Sequence, residues 1–312
     1  MKGLEISKKY YKEYGENMIK TYFAEYENKI AVGLVGEGSE CFGFDDNFSR
    51  DHDYEPSFCM WLTKEDYEKI GFKLERAYAK LPKSFMGETR QIINPVGGSR
   101  HGVMIIDDFY RSFLGTADVV DDYRWWLYAR PNMLAVASNG EVFKDDLGKF
   151  LGVRNKLKQG YPEEIRLKKL CANLLIMAQS GQYNYSRCIK RGEKGAGAIA
   201  FFEFVKSTIS TIYLLNNAYE PFYKWSFKGL EKLDRLSELR STLEEILEFG
   251  NSKNEFNAKL EIIDDIAGII VEELKNQGIT SAVCRDLEKH AYSVNDKIKN
   301  AELRNLHVLE GL

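Results

Sequence analysis

The sequence predicts a mixed α+β or α/β fold, in which a small mixed-sheet domain is followed by an α-helical bundle. Two patterns lead to this prediction. In the first part of the chain, short apolar runs of strand length alternate with amphipathic helical patterns. Beyond residue 122, long helical patterns dominate and strand patterns become rare. We therefore expect one domain over residues 1–122 and a second, mainly helical domain over residues 123–312.

The N-terminal domain is predicted to begin with an amphipathic helix over 5–27 that covers one face of a sheet. Three apolar runs of strand length follow, at 30–36, 57–62 and 102–106. Two helices are predicted after the second and third strands, at 63–80 and 109–114. Thr63 marks the start of the first of these helices, because a threonine followed by acidic residues is a typical helix start. The strand over 57–62 is predicted to be half-buried, because its apolar residues alternate with less apolar ones.

The C-terminal domain is predicted to contain four long helices, at 163–180, 194–217, 227–249 and 255–275. One β-hairpin is expected before them, with strands at 134–137 and 141–143. Asn139-Gly140 lies between these two runs, and Asn-Gly is a strong signal for a two-residue hairpin turn.

Composition limits the class of protein. The 312 residues are 44% apolar, so the chain is long enough to bury two cores. A net charge of -3 gives no overall basic field, and binding of long nucleic acid is therefore not indicated. The five cysteines lack metal-type spacing and are expected to be reduced thiols. The sequence has no signal-peptide pattern and no apolar run of membrane-spanning length, so we expect a cytoplasmic protein without membrane contact.

The strongest functional signal is a Gly-Ser pair followed by an Asp-x-Asp. Asp51 and Asp53 precede an apolar run, and carboxylates at i and i+2 of a strand share a face about 7 Å apart. Two carboxylates at that separation can hold a divalent cation. Upstream, Gly38 lets the backbone approach a ligand closely, and Ser39 adds a hydroxyl suited to phosphate. The alternative interpretation is a polar surface loop.

A polar surface loop is the interpretation that suits the two acidic residues between Gly38-Ser39 and the Asp-x-Asp. Asp45 and Asp46 are interpreted as surface-loop residues that cap or solvate a turn. Asp51 and Asp53 fit this interpretation less well, because the apolar run that follows them has the pattern of a strand.

The spacing of these residues resembles the signature of the nucleotidyltransferase superfamily, which has the DNA polymerase beta-like fold. The fuller string GEGSECFGFDDNFSRDHD resembles, more narrowly, the DUF4037 family. Gly38, Ser39, Asp51 and Asp53 match the superfamily motif residue by residue. The resemblance implies that the two aspartates bind Mg²⁺, or Mn²⁺ in its place. It also implies that the Gly38 amide and Ser39 bind the phosphates of a nucleoside triphosphate, within a catalytic domain over 1–122.

The superfamily usually supplies a third carboxylate from a later strand. Asp107 follows the predicted strand at 102–106 and is our candidate, with Asp108 and Glu88 as alternatives. Asp107 or Asp108 could instead cap the helix that follows.

A second cluster lies in the helical half of the chain. The string from Tyr219 to Trp225 resembles the C-terminal helical region of aminoglycoside adenylyltransferase-like proteins, in which a Tyr-x-Pro-x-x-Lys-Trp turn follows a helix. Arg191 and Lys224 are our candidate nucleotide-binding cations, because both side chains suit triphosphate oxygens. The alternatives are aromatic packing at a helix corner and ordinary surface ion pairs.

The resemblance therefore implies a Mg²⁺-dependent nucleotidyltransferase that moves a nucleoside monophosphate from a nucleoside triphosphate to an acceptor. A small-molecule acceptor fits best, because the sequence shows no basic stripe; a protein side chain and an RNA end remain open. One alternative is a non-catalytic nucleotide-binding protein of a regulatory or toxin-antitoxin type. Another is a phosphate-hydrolysing metal enzyme.

Overall fold

The computed structural model of the chain describes residues 1–46, 55–89, 100–250 and 252–312. The strands are β1 (Ala31–Leu34), β2 (Cys59–Leu62), β3 (Ser84–Phe85), β4 (Glu88–Thr89), β5 (Gly102–Ile105) and β6 (Glu141–Lys144). The α-helices are α1 (Gly3–Tyr10), α2 (Glu16–Tyr22), α3 (Ser39–Phe42), α4 (Lys64–Asp66), α5 (Phe72–Ala79), α6 (Ile106–Leu114), α7 (Tyr123–Tyr128), α8 (Pro131–Ser138), α9 (Lys149–Leu157), α10 (Glu163–Met177), α11 (Ser186–Lys190), α12 (Lys194–Leu215), α13 (Tyr223–Leu230), α14 (Leu239–Glu248), α15 (Lys253–Asn276), α16 (Leu287–Asn295) and α17 (Ala301–Asn305). The fold is mixed α/β, as predicted.

The described residues form two compact units. The first contains residues 1–120 and 130–159, and the second contains residues 121–129 and 160–312. Residues 130–159, which follow the predicted boundary at 122, thus belong to the first unit.

The first unit is built on a four-stranded mixed sheet with the order β5-β2-β1-β6. Strand β1 is antiparallel to both β2 and β6, and β2 is parallel to β5. Because of these directions, the end of β1 lies at the same edge of the sheet as the starts of β2, β5 and β6. Gly33 pairs with Cys59 on one side of β1, and Leu34 pairs with Glu141 on the other.

Helices cover both faces of this sheet, so the prediction of a half-buried second strand is wrong. All four residues of β2 are buried. On one face, Met60 and Leu62 join a core cluster with side chains from α1, α2 and α5. On the other face, Trp61 stacks on Phe150 at 4.0 Å between ring centroids and meets Phe109 edge-on at 5.4 Å. A strand that is buried on both faces has no polar side to mark it in the sequence.

The predicted hairpin around Asn139-Gly140 is also wrong. Residues Pro131–Ser138 form helix α8, with the proline at its start, where a missing N–H costs nothing. Strand β6 pairs with β1, a distant part of the chain, and not with the residues just before it. Asn139 and Gly140 therefore connect a helix to a strand.

The other predicted elements of the first unit are confirmed with small shifts in their ends. The first helix covers α1 and α2, joined by the π-helical turn Tyr11–Gly15. The helix predicted at 63–80 begins at Thr63, whose hydroxyl accepts a hydrogen bond from the Asp66 amide at 3.2 Å. It contains α4, α5 and the π-helical turn Tyr67–Gly71 between them.

The second unit is helical in the described residues, as predicted. Helix α10 packs against α12 and α16 and is buried over most of its length. One predicted helix, at 227–249, is instead two helices, α13 and α14. The chain turns between them at Leu236, which has a φ of +59°.

Two buried lysines hold the C-terminal segment to α10. The Lys168 ammonium donates to Asn295 Oδ1 at 3.0 Å and to the carbonyl oxygen of Leu306 at 2.8 Å. The Lys169 ammonium donates to the carbonyl oxygens of Leu127 at 2.6 Å and Gly311 at 3.1 Å. In the described part of the chain, both buried ammonium groups are therefore satisfied by hydrogen bonds to carbonyl oxygens. Neither forms an ion pair with a carboxylate there.

In the described residues, one helix, α12, is long and apolar enough to cross a membrane, judged by length and composition alone. Within its most apolar window, 61% of the helix is buried inside the protein, which is typical of a core helix. All five cysteines have free thiols, as expected. Burial raises the pKa of Cys59 and of Cys171 to about 12, so these two thiols are unreactive at neutral pH.

Candidate functional site

The Gly-Ser pair lies in the loop that leaves β1, here called the Gly-Ser loop (residues 35–46). Gly38 precedes α3, and Ser39, half-buried, is its first residue. A Cβ atom on Gly38 would lie 1.9 Å from Oε1 of Glu40, a side chain that is itself only 5% exposed. A larger residue at position 38 must therefore displace a buried carboxylate. This contact is a physical reason for glycine in the motif.

Asn139 fixes the start of the Gly-Ser loop by a two-point hydrogen bond. Its Nδ2 donates to the carbonyl oxygen of Gly36 at 2.7 Å, and the Gly36 amide donates to its Oδ1 at 3.0 Å. The amide of Gly140 also donates to the carbonyl oxygen of Cys41 at 2.8 Å. These three bonds hold both sides of the Gly38-Ser39 pair.

Arg154 in turn holds Asn139 and Gly140. Its Nη2 donates to the carbonyl oxygen of Asn139 at 2.9 Å and to that of Gly140 at 2.7 Å. Arg154 is only 6% exposed, and burial lowers the pKa of its guanidinium. Between the described residues it forms no ion pair, so these carbonyls are its main polar partners.

The far end of the Gly-Ser loop is fixed to the N-terminus of the chain. Asp45 is buried, and its Oδ2 accepts a hydrogen bond from the Gly3 amide, in the first turn of α1, at 2.9 Å. Lys2 forms an ion pair with the same carboxylate at 3.5 Å. The interpretation of Asp45 as a surface-loop residue is therefore wrong: it is a buried cap for a helix that begins 42 residues earlier. Asp46 is exposed.

A further polar pair lies at the same edge of the sheet. Nδ1 of His101 is 3.2 Å from Oε1 of Glu55, and both side chains are largely buried. The pair joins the segment that leads into β2 to the segment that leads into β5. Sequence analysis gave no signal for it, because the two residues are far apart in the chain and neither is part of a motif.

Asp51 and Asp53 lie outside the described residues, so their strand placement and their separation stay predictions. In residues 1–46, 55–89, 100–250 and 252–312, no group of three His, Cys, Asp or Glu side chains could hold a metal ion.

The candidates for the third carboxylate lie elsewhere. Asp107 and Asp108 are in the first turn of α6, more than half exposed, and both form ion pairs with Arg111, at 3.6 and 3.1 Å. They follow the end of β5, whereas the Gly-Ser loop lies at the edge where β5 starts. About 10 Å of strand separates the two edges. Neither aspartate is the cap of α6, because the residue at that position is Ile105.

Glu88, the other alternative, lies in the separate two-stranded sheet of β3 and β4. Strand β5 itself contains no carboxylate. The structure therefore gives no support to a third ligand from these positions.

Residues 126–226 match the model of a family described as a domain of unknown function, DUF4037. The chain carries a DUF4037 domain. The match contains Asn139, Gly140 and Arg154, and it leaves out the Gly-Ser loop. No curated protein and no solved structure matches the chain.

Arg191 and Lys224 belong to the part of the DUF4037 domain that lies in the second unit. Both side chains are exposed, and the Lys224 ammonium lies 5.0 Å from the centroid of the Trp225 ring. Tyr219 packs edge-on against Tyr161, with 4.9 Å between ring centroids. Tyr219 is thus part of aromatic packing, and the roles of Arg191 and Lys224 in nucleotide binding stay predictions.

Proposed function

We propose that the chain is a Mg²⁺-dependent nucleotidyltransferase, which transfers a nucleoside monophosphate from a nucleoside triphosphate to an acceptor. The observation that carries the proposal is the spacing of Gly38-Ser39 and Asp51-x-Asp53, together with the direction of the strands that flank these residues. The Gly-Ser loop leaves the end of β1 at the edge where β2 starts. Residues 55–58, which follow the Asp-x-Asp in the sequence, lead into β2 at that edge.

The donor set fits Mg²⁺, because Asp51 and Asp53 offer the hard carboxylate oxygens that this ion prefers. Bound Mg²⁺ would neutralise phosphate charge and align the attacking and leaving oxygens of the transfer. Gly38 presents backbone without a side chain, so its amide can approach a phosphate oxygen closely. The Ser39 hydroxyl can donate a hydrogen bond to a neighbouring oxygen. These contacts would hold the β- and γ-phosphates while an acceptor oxygen attacks the α-phosphate and pyrophosphate leaves.

The acceptor is most simply a small molecule. A net charge of -3 gives the chain no general attraction for the phosphate backbone of long nucleic acids.

The first test is the thermal stability of the purified protein with ATP, GTP, CTP and UTP, with and without Mg²⁺. A ligand at a hundred times its dissociation constant stabilises the folded state by about 2.7 kcal/mol, which raises the Tm of a chain this long by a few degrees. We expect this shift with at least one nucleotide and only with Mg²⁺. Asp51→Asn and Asp53→Asn should each abolish it, and Asp264→Asn, an exposed site on α15, is the matched control.

Pyrophosphate release then tests the transfer. Both active-site variants should lose it and keep their fold, because each substitution removes like-charge repulsion. If both variants released pyrophosphate as fast as the unaltered protein, the proposed metal site would be wrong.

A further inference from the structure

The contacts of the Gly-Ser loop come from a distant part of the chain. Asn139 is 103 residues from Gly36, and its amide makes both possible hydrogen bonds to the Gly36 backbone. Gly36 lies two residues before Gly38, so the two-point bond fixes the backbone just ahead of the Gly-Ser pair. The bond from the Gly140 amide to the Cys41 carbonyl fixes the backbone just after that pair. Hydrogen bonds from Asn139 and Gly140 thus hold the Gly-Ser loop on both sides of the Gly-Ser pair.

Arg154 keeps these donors in place. Its guanidinium donates hydrogen bonds to the carbonyl oxygens of both Asn139 and Gly140. These bonds fix the backbone that carries the Asn139 side chain and the Gly140 amide, the two groups that bind the loop. The guanidinium is buried, and its hydrogen bonds in the described part of the chain go to these two carbonyl oxygens, so its contact with the loop runs through Asn139 and Gly140.

We propose that Asn139 and Arg154 are positioning residues, which hold the Gly-Ser loop in the conformation that binds the phosphates of a nucleotide. This inference rests on the proposed function. Neither residue would touch the nucleotide; both act through the loop backbone. Pre-ordering a binding loop strengthens binding, because the entropy cost of ordering the loop is no longer taken from the binding energy. Nucleotide binding would thereby depend on residues of the DUF4037 domain as well as on the Gly-Ser motif.

The chain provides a matched control for Asn139. Asn216, in the second unit, makes the same two-point bond to the backbone of Arg235: its Nδ2 donates to the carbonyl oxygen at 2.9 Å, and its Oδ1 accepts from the amide at 2.9 Å. Asn139→Ala and Asn216→Ala therefore each remove a two-point bond to the backbone, in different places. Asn216→Ala also removes the bond from Nδ2 to the carbonyl oxygen of Ile212 at 2.8 Å, so the control loses one hydrogen bond more than Asn139→Ala. If the substitutions act only by lowering stability, nucleotide affinity should fall in both variants. If Asn139 positions the loop, affinity should fall only in Asn139→Ala.

The experiment measures two properties of both variants in the full-length protein. The first is hydrogen exchange of the amides in residues 36–41, which should be faster in Asn139→Ala and unchanged in Asn216→Ala. The second is the dissociation constant of whichever Mg²⁺-nucleoside triphosphate the unaltered protein binds best. We expect Asn139→Ala to raise it about tenfold, which corresponds to about 1.4 kcal/mol, and Asn216→Ala to leave it unchanged.

Arg154 is tested by a conservative pair. Arg154→Lys keeps a positive charge and a donor, so it should restore part of the affinity that Arg154→Met loses. Equal affinities for the two variants would overturn a positioning role for Arg154.

The outcomes separate this inference from the proposed function. If the unaltered protein binds none of the four nucleotides, the proposed function fails, and the exchange rates alone decide whether Asn139 positions the loop. If the unaltered protein binds a nucleotide and the two asparagine variants weaken binding equally, the positioning role is overturned. Unchanged exchange of residues 36–41 in Asn139→Ala would also overturn it.

Discussion

Gly140→Ala is expected to destabilise the first unit strongly, because two separate effects act at this position. Gly140 has a φ of +64°, a backbone conformation that side chains with a Cβ rarely adopt. A Cβ atom there would also lie 2.0 Å from the carbonyl oxygen of Leu34 and 3.1 Å from the Cα of Val35. Both contacts are to backbone at the end of β1, which cannot move aside as a side chain could. The strand end and the Gly-Ser loop after it would have to shift.

The two effects can be separated with a second glycine of the same unit. Gly148 has a φ of +71°, and a Cβ atom there would have no neighbour within 4 Å. Gly148→Ala therefore costs only the backbone strain of about 1 to 2 kcal/mol, reduced by the lower entropy of the unfolded chain. Gly140→Ala costs the same strain and an additional overpacking penalty of about 1 to 3 kcal/mol. We expect a loss of about 3 kcal/mol for Gly140→Ala against about 1 kcal/mol for Gly148→Ala.

Urea denaturation of both variants measures this difference. The urea midpoint should fall much further for Gly140→Ala, with the same slope m, because the surface exposed on unfolding does not change. If the proposed function is right, nucleotide affinity should fall with it, because the loop after Leu34 has to move. Equal loss of stability in the two variants would refute the reasoning, since it would mean that the end of β1 yields freely to an added methyl group.

The remaining predictions concern a buried cation and a helix cap. Burial lowers the pKa of Lys169 to about 8 from the ordinary 10.5. Between these pH values the unfolded chain therefore binds more protons than the folded protein. The free energy of unfolding should accordingly rise with pH across that window. Measured by urea denaturation from pH 7.5 to 10.5, the unaltered protein should gain about 3 kcal/mol relative to Lys169→Met, and parallel pH curves would contradict this. Thr63→Ala should cost about 1 kcal/mol by removing the hydroxyl that caps α4, and Thr63→Ser should cost much less; equal costs would exclude the cap as the cause.

Much of the first unit could be predicted from local sequence. Thr63 caps a helix where the threonine and the acidic residues after it predicted one. The strands at 31–34, 59–62 and 102–105 lie inside the predicted apolar runs. These elements depend on hydrogen bonds and periodicities within a few residues, and a single sequence contains that information.

The contacts around the Gly-Ser loop could not be predicted in this way. Asn139-Gly140 has the composition of a hairpin turn, and no local feature shows that its partners are Gly36 and Cys41, about a hundred residues earlier. The sequence around Trp61 does not show that this side chain is buried on the second face of the sheet. The Phe150 ring that covers it belongs to a helix much later in the chain. Both errors have one cause: tertiary pairing overrides a short-range signal.

The pairing of β6 with β1 also has a consequence for where the first unit ends. A chain that stopped at residue 122 would lack α8, β6 and α9. Strand β1 would become an edge strand with unpaired N–H and C=O groups, which is a site for aggregation. Trp61 would lose its stacking partner Phe150, and the Gly-Ser loop would lose the hydrogen bonds from Asn139 and Gly140. The residues that complete this sheet and hold the proposed phosphate-binding loop therefore come from the first part of the DUF4037 domain, so the motif and that domain have to be studied together.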